Sequence, residues 1–494
     1  MRNGKYNARR RIFTVMESVK TSENRLGTES IGKLLLKMSL PMMISMLVLA
    51  LYNVVDTYFV AKINEKATSA LTIAFPFQML ITSIAVGTSV GISSLISRRL
   101  GEKNQEAADN AATTGIVLML ISGVVVSLIY FFFSGAILKP FSTDAGELRY
   151  ATQYLRICGS LSFFVMIGVA CEKIIQGTGN AIAPMMTQLA GAITNIILDP
   201  ILIFGYAGFP KMGVAGAATA TVAGQVVSML MGLYFLLLSK SRRVKISFKG
   251  FKMKGSVVKD IYDVGIPSVL MQSVASFVTL GIYAIINTYL FYCSIAAKCV
   301  LGIYFKLQSF VFMPVFGLNS GSLPIMAYNY GARSKERFTW TLILSLMWAL
   351  AIMVIGLGLF QFFPKQLLSV FESVGNDAQT LYIGVIALST ISISFPFAAF
   401  GIILVGAFNA IGKGIYSLIV SATRQVIVIL PAAFLLAKYV DSPARTASAI
   451  WWAYPIAEIV GLSLSVILII AVFKKYIIPL GKTKNTVAAE EQNS

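Results

Sequence analysis

The sequence predicts an all-α membrane protein in which twelve transmembrane helices form two six-helix lobes, and three observations lead to this fold class. First, 56% of the 494 residues are hydrophobic and only 13% are charged, with a mean hydropathy of +0.77. Soluble domains carry about 25% charged residues, so this chain has too little charge to cover a soluble surface. Second, apolar runs long enough to cross a hydrocarbon core about 30 Å thick recur along the chain. Third, the second half of the chain repeats the first.

The apolar runs set the predicted bounds of the spans and lobes. The twelve predicted spans cover residues 34–60, 68–97, 112–138, 152–175, 182–206, 214–239, 258–290, 296–325, 339–363, 380–408, 415–437 and 447–473. The predicted regions are an N-terminal tail at 1–30, an N-lobe at 31–240, a basic linker at 241–257, a C-lobe at 258–475 and a C-terminal tail at 476–494. The N-terminal tail is polar and basic, so we expect it to be solvated and without fixed structure.

The positive charge of the chain indicates its orientation. The net charge is +20. With both termini assigned to the cytoplasm, 29 of the 41 Lys and Arg residues lie on that side and 9 lie on the other. This asymmetry follows the positive-inside rule. We therefore expect a multi-pass protein of the plasma membrane with both termini, the linker and the tails in the cytoplasm. Its expected partners are the lipid bilayer and a small organic molecule, not nucleic acid, and we expect a monomer.

Matching segments recur between the two halves at a nearly constant spacing. Ser39-Leu40-Pro41 corresponds to Gly265-Ile266-Pro267 at an offset of 226, ISSLISRRLGEKNQEAA (92–108) to GSLPIMAYNYGARSKER (321–337) at 230, and QGTGNAI (176–182) to VGAFNAI (405–411) at 229. Each half holds an even number of predicted spans, so both halves enter the membrane from the same side and the repeat is parallel. Transporters built from such repeats hold substrate between the lobes and alternate access by rocking them.

The stretch TNIILDPILIF (194–204) places a carboxylate and a proline inside an apolar helix. An ionisable residue at membrane depth is costly and is therefore a functional candidate. Pro200 leaves the carbonyl of Ile196 without its helical donor, and Asn195 lies one turn before Asp199 on the same face. A carboxylate, an amide and a freed carbonyl predict a site for H⁺ or Na⁺, with Pro200 bending the helix. The alternative is that Asp199 only bonds a polar partner that holds the fold together.

A second acidic residue in the N-lobe has a similar setting. Asp56 lies near the outer end of the first predicted span, and Tyr52 and Asn53 precede it by four and three residues. That spacing puts the three side chains on one helical face. Its alternative role is again structural, because a residue near the interface can find water. Glu172 lies close to a span end, where an interfacial position accounts for it.

The second lobe carries a different set of deep charges: Lys306, Arg424 and Glu458. One interpretation is that Glu458 pairs with Lys306 or Arg424 and makes the C-lobe a rigid partner. The other is that Lys306 lines the cleft and admits anionic or zwitterionic cargo. Gln78 and Gln308 recur at an offset of 230 with aromatic residues such as Phe75 nearby, and we expect them to line the substrate cleft as well.

Several chemistries are excluded or disfavoured by what the sequence contains. The chain has no histidine, so no His-based metal site, catalytic triad or proton carrier can form. No glycine-rich phosphate loop with its lysine occurs. We therefore expect a secondary transporter rather than an enzyme, with no cofactor, no catalytic residue and no metal apart from a possible Na⁺ at Asp56 and Asp199. The coupling ion is then H⁺ or Na⁺.

Six segments, taken in order, resemble the multidrug and toxic compound extrusion (MATE) transporters. They are SLPMMISMLVLALYNVVDTYFVA (39–61), SRRLGEKNQEAA (97–108), QGTGN (176–180), NIILDPILIFG (195–205), GVAGAATATVAGQ (213–225) and IWWAYPIAE (450–458). The resemblance extends from residue 31 to about 475. It implies a V-shaped cleft between two six-helix bundles and export of organic cations against inward H⁺ or Na⁺ flow. Asp56 and Asp199 match the N-lobe ion site of such proteins, and QGTGN brings Asn180 into the same candidate set.

The alternative function is a flippase for a lipid-linked oligosaccharide or another amphipathic anionic lipid. Such proteins are related to MATE transporters in architecture. A flippase needs basic residues in the cleft for a pyrophosphate headgroup, and Lys306 and Arg424 would meet that need. The two N-lobe aspartates and the MATE-like segments favour the antiporter.

Overall fold

The computed structural model describes residues 24–142, 144–239, 243–249, 251–371, 377–440 and 448–480. Every regular element within these ranges is helical. The spanning elements are α1 (Ile31–Ala61), α2 (Glu65–Gly101), α3 (Gln105–Leu138), α4a (Ala145–Ser160), α4b (Ser162–Gly177), α5 (Ile182–Phe204), α6 (Val214–Leu233), α7 (Gly255–Tyr289), α8 (Ser294–Gly331), α9 (Lys335–Phe362), α10a (Ala378–Ser392), α10b (Phe395–Ala410), α11 (Gly414–Ala422, Thr423–Val428 and Ile429–Tyr439) and α12 (Ala453–Val472). Short helical turns connect or extend them: Arg25–Thr28, Lys139–Phe141, Tyr206–Gly208, Tyr234–Leu238, Phe291–Cys293, Pro364–Ser369, Ile450–Trp452 and Phe473–Ile477.

The number of spans agrees with the sequence prediction when two bent helix pairs are each counted as one span. Ten of the described helices are long and apolar enough to cross a membrane, and the pairs α4a–α4b and α10a–α10b bend by 47° and 49°. The sequence predicted both of these spans as continuous. The first break follows Gly159 and Ser160, which are weak helix formers. The second precedes Pro396, which lies in the first turn of α10b and cannot continue a preceding helix.

The buried side chains form two hydrophobic cores. One core is built from residues between Val60 and Ile261, and the other is built mainly from α7 to α12. The beginning of α1 belongs to the second core, because Leu34, Met38 and Met42 pack there. The first helix therefore contributes to both lobes along its length, as the helix that connects two bundles across their contact.

Glycines that recur at an offset of 230 residues bring the backbones of the two halves into contact. A Cβ atom on Gly91 would stand 2.1 Å from the carbonyl oxygen of Ile261, and one on Gly321 would stand 2.6 Å from the Cα of Ser39. The same reciprocal pattern holds for Gly87 with Val269, Gly317 with Met43, Gly101 with Tyr328, and Gly331 with Arg98. Only glycine permits such close backbone approach, so the repeat forms a pseudo-symmetric seam between the lobes.

This seam lies on one side of the molecule, which we call the closed side: the ends of the helices at Ile31, Gly101, Gly255 and Gly331. Toward the opposite or open side, the faces that form the seam become exposed. Leu47 and Val54 continue the face of α1 that carries Met43, and they are 36% and 44% exposed. Phe310 continues the face of α8 that carries Gly317 and is 47% exposed. The two lobes thus meet at the closed side and enclose a V-shaped cleft that opens toward the other side.

The end of the predicted N-terminal tail is ordered against the seam. Leu26 is fully buried, and its carbonyl accepts hydrogen bonds from Asn329 at 3.1 Å and Arg337 at 3.2 Å. Arg337 also donates to the carbonyl of Glu29 at 2.7 Å. The expectation of a solvated tail is therefore wrong for residues 24–30, while residues 1–23 lie outside the described part of the chain. Of the predicted C-terminal tail, 476–480 are helical and the rest is likewise not described.

The basic linker packs on the closed-side end of the N-lobe in the part that is described. Val244 is 1% exposed. Gln105 donates to the carbonyl of Arg243 at 2.7 Å, and the backbone N–H of Lys245 donates to Asp109 at 2.9 Å. The linker is thus attached to the start of α3, and α7 already begins at Gly255, inside the predicted linker.

Candidate functional site

Two carboxyl groups face each other inside the N-lobe. Asp199 on α5 has no exposed surface, and Asp56 on α1 is partly buried. The two carboxyl groups lie within hydrogen-bonding reach of each other. In the described part of the chain, no donor reaches either oxygen of Asp199 or Oδ1 of Asp56. Two facing carboxylates repel unless a proton or a cation lies between them, so this pair needs one.

Neutral oxygen and nitrogen groups line the same pocket. Asn195 Nδ2, on α5, donates to the hydroxyl of Thr221 on α6 at 3.3 Å. Tyr52 on α1 also shares a hydrogen bond with Thr221. The carbonyl oxygen of the Asn195 side chain is buried and has no partner among the described residues. Three helices thus place oxygen atoms beside the carboxyl pair, as a small hard cation requires.

Pro200 lies within a continuous helix beside this pocket. The helix that carries it, α5, extends from Ile182 to Phe204 and ends at Gly205, whose φ of 80° is left-handed. Because Pro200 has no N–H, the carbonyl of Ile196 lacks its helical donor. The freed carbonyl belongs to the residue three positions before Asp199, about one helical turn away.

Two other predicted members of the coupling site have different surroundings. Asn53 is exposed on α1, three residues before Asp56. Asn180 precedes α5 and accepts hydrogen bonds from the backbone N–H groups of Ile182 and Ala183 at 3.1 and 3.2 Å. It therefore caps the closed-side end of α5, about 25 Å along the helix from Asp199 at 1.5 Å per residue. The structure does not bring Asn180 to the carboxyl pair.

Gln78 bonds a residue inside the N-lobe. Its side-chain oxygen accepts a hydrogen bond from Tyr154 on α4a at 3.1 Å, and Tyr154 is 3% exposed. Gln78 is also partly exposed, so its role in the cleft stays a prediction. Phe75 is 53% exposed, but it lies about 120° around α2 from the seam residue Gly87 at 100° per residue.

The C-lobe contains an ion pair at the corresponding depth. Arg424 Nη1 donates to Glu458 Oε2 at 3.1 Å. Arg424 lies in the wide π-helical turn Thr423–Val428 of α11, a type of irregularity that is frequent at functional sites. Tyr304 on α8 is 1% exposed and lies near Glu458. Of the two partners that the sequence offered for Glu458, the structure selects Arg424.

Lys306 takes no part in this ion pair. It is exposed on α8, and no ion pair to it is found among the described residues. Gln308, two residues later, is partly exposed. Of the two predicted pairings the structure thus shows Glu458 with Arg424, and Lys306 is the one of the three deep C-lobe charges without an ion pair in the described part of the chain.

A buried acid and a buried lysine on α4b were not predicted. Glu172 is 5% exposed and accepts hydrogen bonds from Thr187 at 3.1 Å and Gln188 at 2.9 Å. Lys173 is 7% exposed and donates to Gln176 at 2.8 Å. The interfacial position expected for Glu172 is wrong, because α4b packs against the start of α5. Unlike Asp199, Glu172 has donors to both oxygens and needs no mobile ion.

Comparisons with known proteins agree with this architecture. The MatE family profile matches residues 41–201 and 272–435, one block in each lobe. The chain is 28% identical over 418 residues to a FAD transporter of Shewanella oneidensis, which covers 83% of this chain and 89% of that protein. It is 27% identical over 410 residues to the multidrug export protein MepA of Staphylococcus haemolyticus, covering 82% and 87%.

Solved structures share the fold along nearly their whole length. A MOP superfamily transporter from Pyrococcus furiosus, described as having a binding pocket of reverse polarity, superposes with a TM-score of 0.85 at 26% identity, covering 92% of this chain and 99% of that one. An outward-facing multidrug resistance MATE family transporter gives a TM-score of 0.85 at 25% identity, covering 93% and 99%. The profile match in both lobes and these superpositions show that the chain belongs to the MatE family and is a multi-pass membrane transporter, not an enzyme.

Proposed function

We propose that this chain is an antiporter that exports amphipathic organic compounds in exchange for H⁺ or Na⁺, and that Asp56 and Asp199 form its coupling site. The observation that carries the proposal is the facing carboxyl pair, three of whose four oxygens (both of Asp199 and Oδ1 of Asp56) lack donors among the described residues. An ion that binds between two carboxyl groups contributes electrostatic stabilisation that is lost when it leaves. Loading of the site can therefore bias which conformation of the lobes is stable.

The seam between the lobes is the contact that must open and close when the cleft changes the side of the membrane to which it is open. If the closed side is cytoplasmic, as the distribution of Lys and Arg predicts, the conformation described here faces outward. An ion can then enter from the open side and load the carboxyl pair before the lobes rock. The change to a conformation that faces the cytoplasm requires separation of close backbone contacts such as Gly91 with Ile261 and Gly321 with Ser39. New contacts between the lobes must then form at the open side.

The cargo is proposed from the relatives and from the cleft. The multidrug export protein MepA and the FAD transporter both match more than four fifths of this chain. The exposed apolar side chains along the cleft, such as Leu47, Val54 and Phe310, suit compounds with an apolar body. Lipophilic cations are the first cargo class to test, and ethidium is a suitable fluorescent probe.

The flippase alternative receives less support from the site. A pyrophosphate headgroup requires several free cations in the cleft, but Arg424 is neutralised by Glu458 at 3.1 Å. Of the two basic residues that favoured a flippase, Lys306 alone is left to face an anion. The carboxyl pair in the N-lobe also has no task in such a mechanism, so we retain the antiporter.

Ion gradients imposed one at a time test the coupling. A pH gradient and a Na⁺ gradient are imposed separately on proteoliposomes that contain the purified protein. We expect one of the two gradients, and not the other, to drive accumulation of ethidium. Asp199→Asn keeps the size of the side chain but cannot lose a proton or neutralise Na⁺, so accumulation should fall to that of protein-free vesicles. Glu172→Gln is the matched control, because this buried acid already has donors to both oxygens. Gradient-driven accumulation by Asp199→Asn at the wild-type level would refute the assignment.

We further propose a plasma-membrane protein with both termini in the cytoplasm, acting as a monomer. Lys249 and Arg333 lie on closed-side loops and Lys211 lies on an open-side loop, and all three are exposed. Cysteines placed at Lys249 and Arg333 should react only with reagents that reach the cytoplasm, and one at Lys211 only from outside. Labelling of position 249 from outside intact cells would reverse the orientation.

A further inference from the structure

A single lysine stands on the helix face that borders the cleft. On α8, the residues Gly317 and Gly321 contact Met43 and Ser39 of α1. At 100° per residue, Phe310 and Lys306 fall within the same arc of about 60° as these two glycines. Lys306 is therefore on the face of α8 that looks toward α1, and it lies on the part of that face where the lobes have separated.

The position of Lys306 along the membrane axis places it beside the N-lobe wall. Lys306 is 11 residues from Gly317, and Val54 is 11 residues from Met43, so each lies about 16 Å from the Gly317–Met43 contact along its helix at 1.5 Å per residue. Val54 is exposed on the opposite wall of the cleft. An apolar wall thus faces the amine across the cleft. The exposed Phe310 lies one helical turn from Lys306 toward the closed side.

The charge of Lys306 is not balanced within the described part of the chain. Arg424 has Glu458 as its counter-ion at 3.1 Å, whereas no ion pair reaches Lys306. Lys306 lies about 10 Å from the middle of α8, within the half-thickness of about 15 Å of a hydrocarbon core. An unpaired amine at that depth faces a cavity or marks a substrate pathway, and the shape of the cleft supplies the cavity.

We propose that Lys306, with Phe310 and the apolar wall of α1 around it, is an anion subsite, so that this transporter also carries amphipathic organic anions. The anionic group, a carboxylate or a phosphate, pairs with the Lys306 amine, and an aromatic or aliphatic body packs on Phe310 and Val54. This inference rests on the proposed transport function and adds a cargo class to it. Within the proposed subsite, the amine is the group that attracts an anion. Its removal should therefore change the preference for anionic cargo rather than abolish transport.

A pair of probes that differ only in a phosphate isolates this effect. Riboflavin 5′-phosphate and riboflavin share the same aromatic body, and both are fluorescent. Binding to purified protein in detergent is measured by fluorescence titration, and transport is measured in phosphatidylcholine proteoliposomes under the ion gradient that drives ethidium. For the wild type we expect tighter binding and faster transport of the phosphate. Lys306→Met should weaken binding of the phosphate by about tenfold, the effect of one charge-assisted contact. Binding of neutral riboflavin should change less than about twofold, and the cation ethidium should bind no more weakly, because the variant removes a positive charge from the cleft.

Two variants serve as controls. Lys306→Arg keeps the charge and should keep the preference for the phosphate. Lys298→Met removes a lysine eight residues earlier on α8, about 80° away around the helix, and should behave as wild type. If Lys306→Met and Lys298→Met lower phosphate binding equally, the effect is general surface charge and the anion subsite is refuted. Equal handling of the two flavins by the wild type also refutes it.

Two further results separate the possible failures. If the wild type moves ethidium under a gradient but Lys306→Met does not alter selectivity, the subsite fails while the antiporter proposal stands. If no gradient drives any probe but Lys306→Met still weakens phosphate binding in detergent, the antiporter proposal fails and the subsite stands. Finally, phosphatidylglycerol added to the vesicles should leave transport of the flavin phosphate unchanged. Suppression in the wild type alone would assign Lys306 to a lipid headgroup and overturn its role in soluble cargo.

Discussion

The polar clusters of the two lobes occupy comparable helices but differ in how their charges are satisfied. In the N-lobe, Asp56 and Asp199 are like-charged groups that face each other, and three of their four oxygens have no donor among the described residues. In the C-lobe, Arg424 and Glu458 form an ion pair at 3.1 Å. The repeat offset of 229 places Arg424 opposite Asn195, so a neutral ligand in one lobe corresponds to a fixed cation in the other.

This difference is the basis on which we propose the N-lobe as the lobe that responds to an ion gradient. A fixed cation already occupies the place beside Glu458, so the C-lobe cluster gains little from a mobile H⁺ or Na⁺. The N-lobe cluster has no fixed cation, so its electrostatic energy depends on whether a mobile one is bound. The two halves of the repeat thus differ in charge: the C-lobe cluster has an internal counter-ion, and we propose that the N-lobe cluster takes a mobile one.

The largest effect should come from removing either member of the carboxyl pair. Asp56→Asn should abolish gradient-driven accumulation as fully as Asp199→Asn, and the double variant should be scarcely worse than either single one. Residues that act as one unit are non-additive in this way. The measurement is counterflow of ethidium against an imposed ion gradient. Additive losses would mean that the two aspartates serve separate sites and would break the comparison between the lobes.

The next largest effect should be on stability, in the C-lobe. Arg424→Met leaves the partly buried Glu458 without its counter-ion, which should cost less than the roughly 3–5 kcal/mol of a fully buried pair, about 2 kcal/mol. The double variant Arg424→Met, Glu458→Gln removes both charges and should recover most of that loss. Thermal unfolding in detergent measures both variants, with Lys298→Met as a control for loss of one positive charge. If the double variant is as unstable as the single one, the pair is not the reason for the charges.

The sequence predicted those parts of the site in which the interacting residues lie on one helix, and it missed a partner that lies on a neighbouring helix. The spans, the repeat and the unusual Asp199–Pro200 stretch follow from hydropathy and spacing alone. Thr221 on α6 was missed, although it bonds Asn195. Its neighbour Thr219 bonds the carbonyl of Ala215 in its own helix at 2.8 Å. Nothing local distinguishes the two threonines, because only the packing of α5 on α6 decides which one meets a partner.

The sequence also did not predict how deeply a side chain is buried or which neighbouring helix it faces. Glu172 looked interfacial because it stands near the end of a predicted span, but α4b packs against α5 and buries it. Gln78 and Gln308 recur at the repeat offset, yet Gln78 bonds Tyr154 inside the N-lobe. Equivalent positions in a repeat share a helix and a height, but a side chain takes its partner from the neighbours that its own lobe provides.

A smaller effect should follow when a neutral group of the N-lobe cluster is removed. Asn195→Ala deletes one of several oxygen groups and should weaken apparent ion affinity by about fivefold, the value of one hydrogen bond or neutral ligand. Thr221→Val should act in the same direction, because it removes the hydroxyl that holds Asn195 and Tyr52. The ion concentration that gives half-maximal transport is the readout. A shift as large as that of Asp199→Asn would place the amide, not the carboxyl pair, at the centre of the site.

The smallest effect should come from the proline beside the coupling site. Pro200→Ala restores an N–H that can bond the Ile196 carbonyl, so α5 gains one helical hydrogen bond and the ion site loses a free oxygen. The change should stiffen the helix and slow the transport cycle by about two- to fivefold, in keeping with the modest energies of proline replacement, while substrate binding is largely retained. The comparison with the C-lobe sharpens this prediction. There the corresponding helix α11 is interrupted by the π-helical turn Thr423–Val428, and Pro431 follows in the next turn. A pre-steady-state assay should therefore show slower turnover with an unchanged dissociation constant for ethidium. If Pro200→Ala instead leaves the turnover rate intact and only lowers the affinity for the ion, the carbonyl acts as a ligand alone, and the predicted effect of the bend on the transport cycle is wrong.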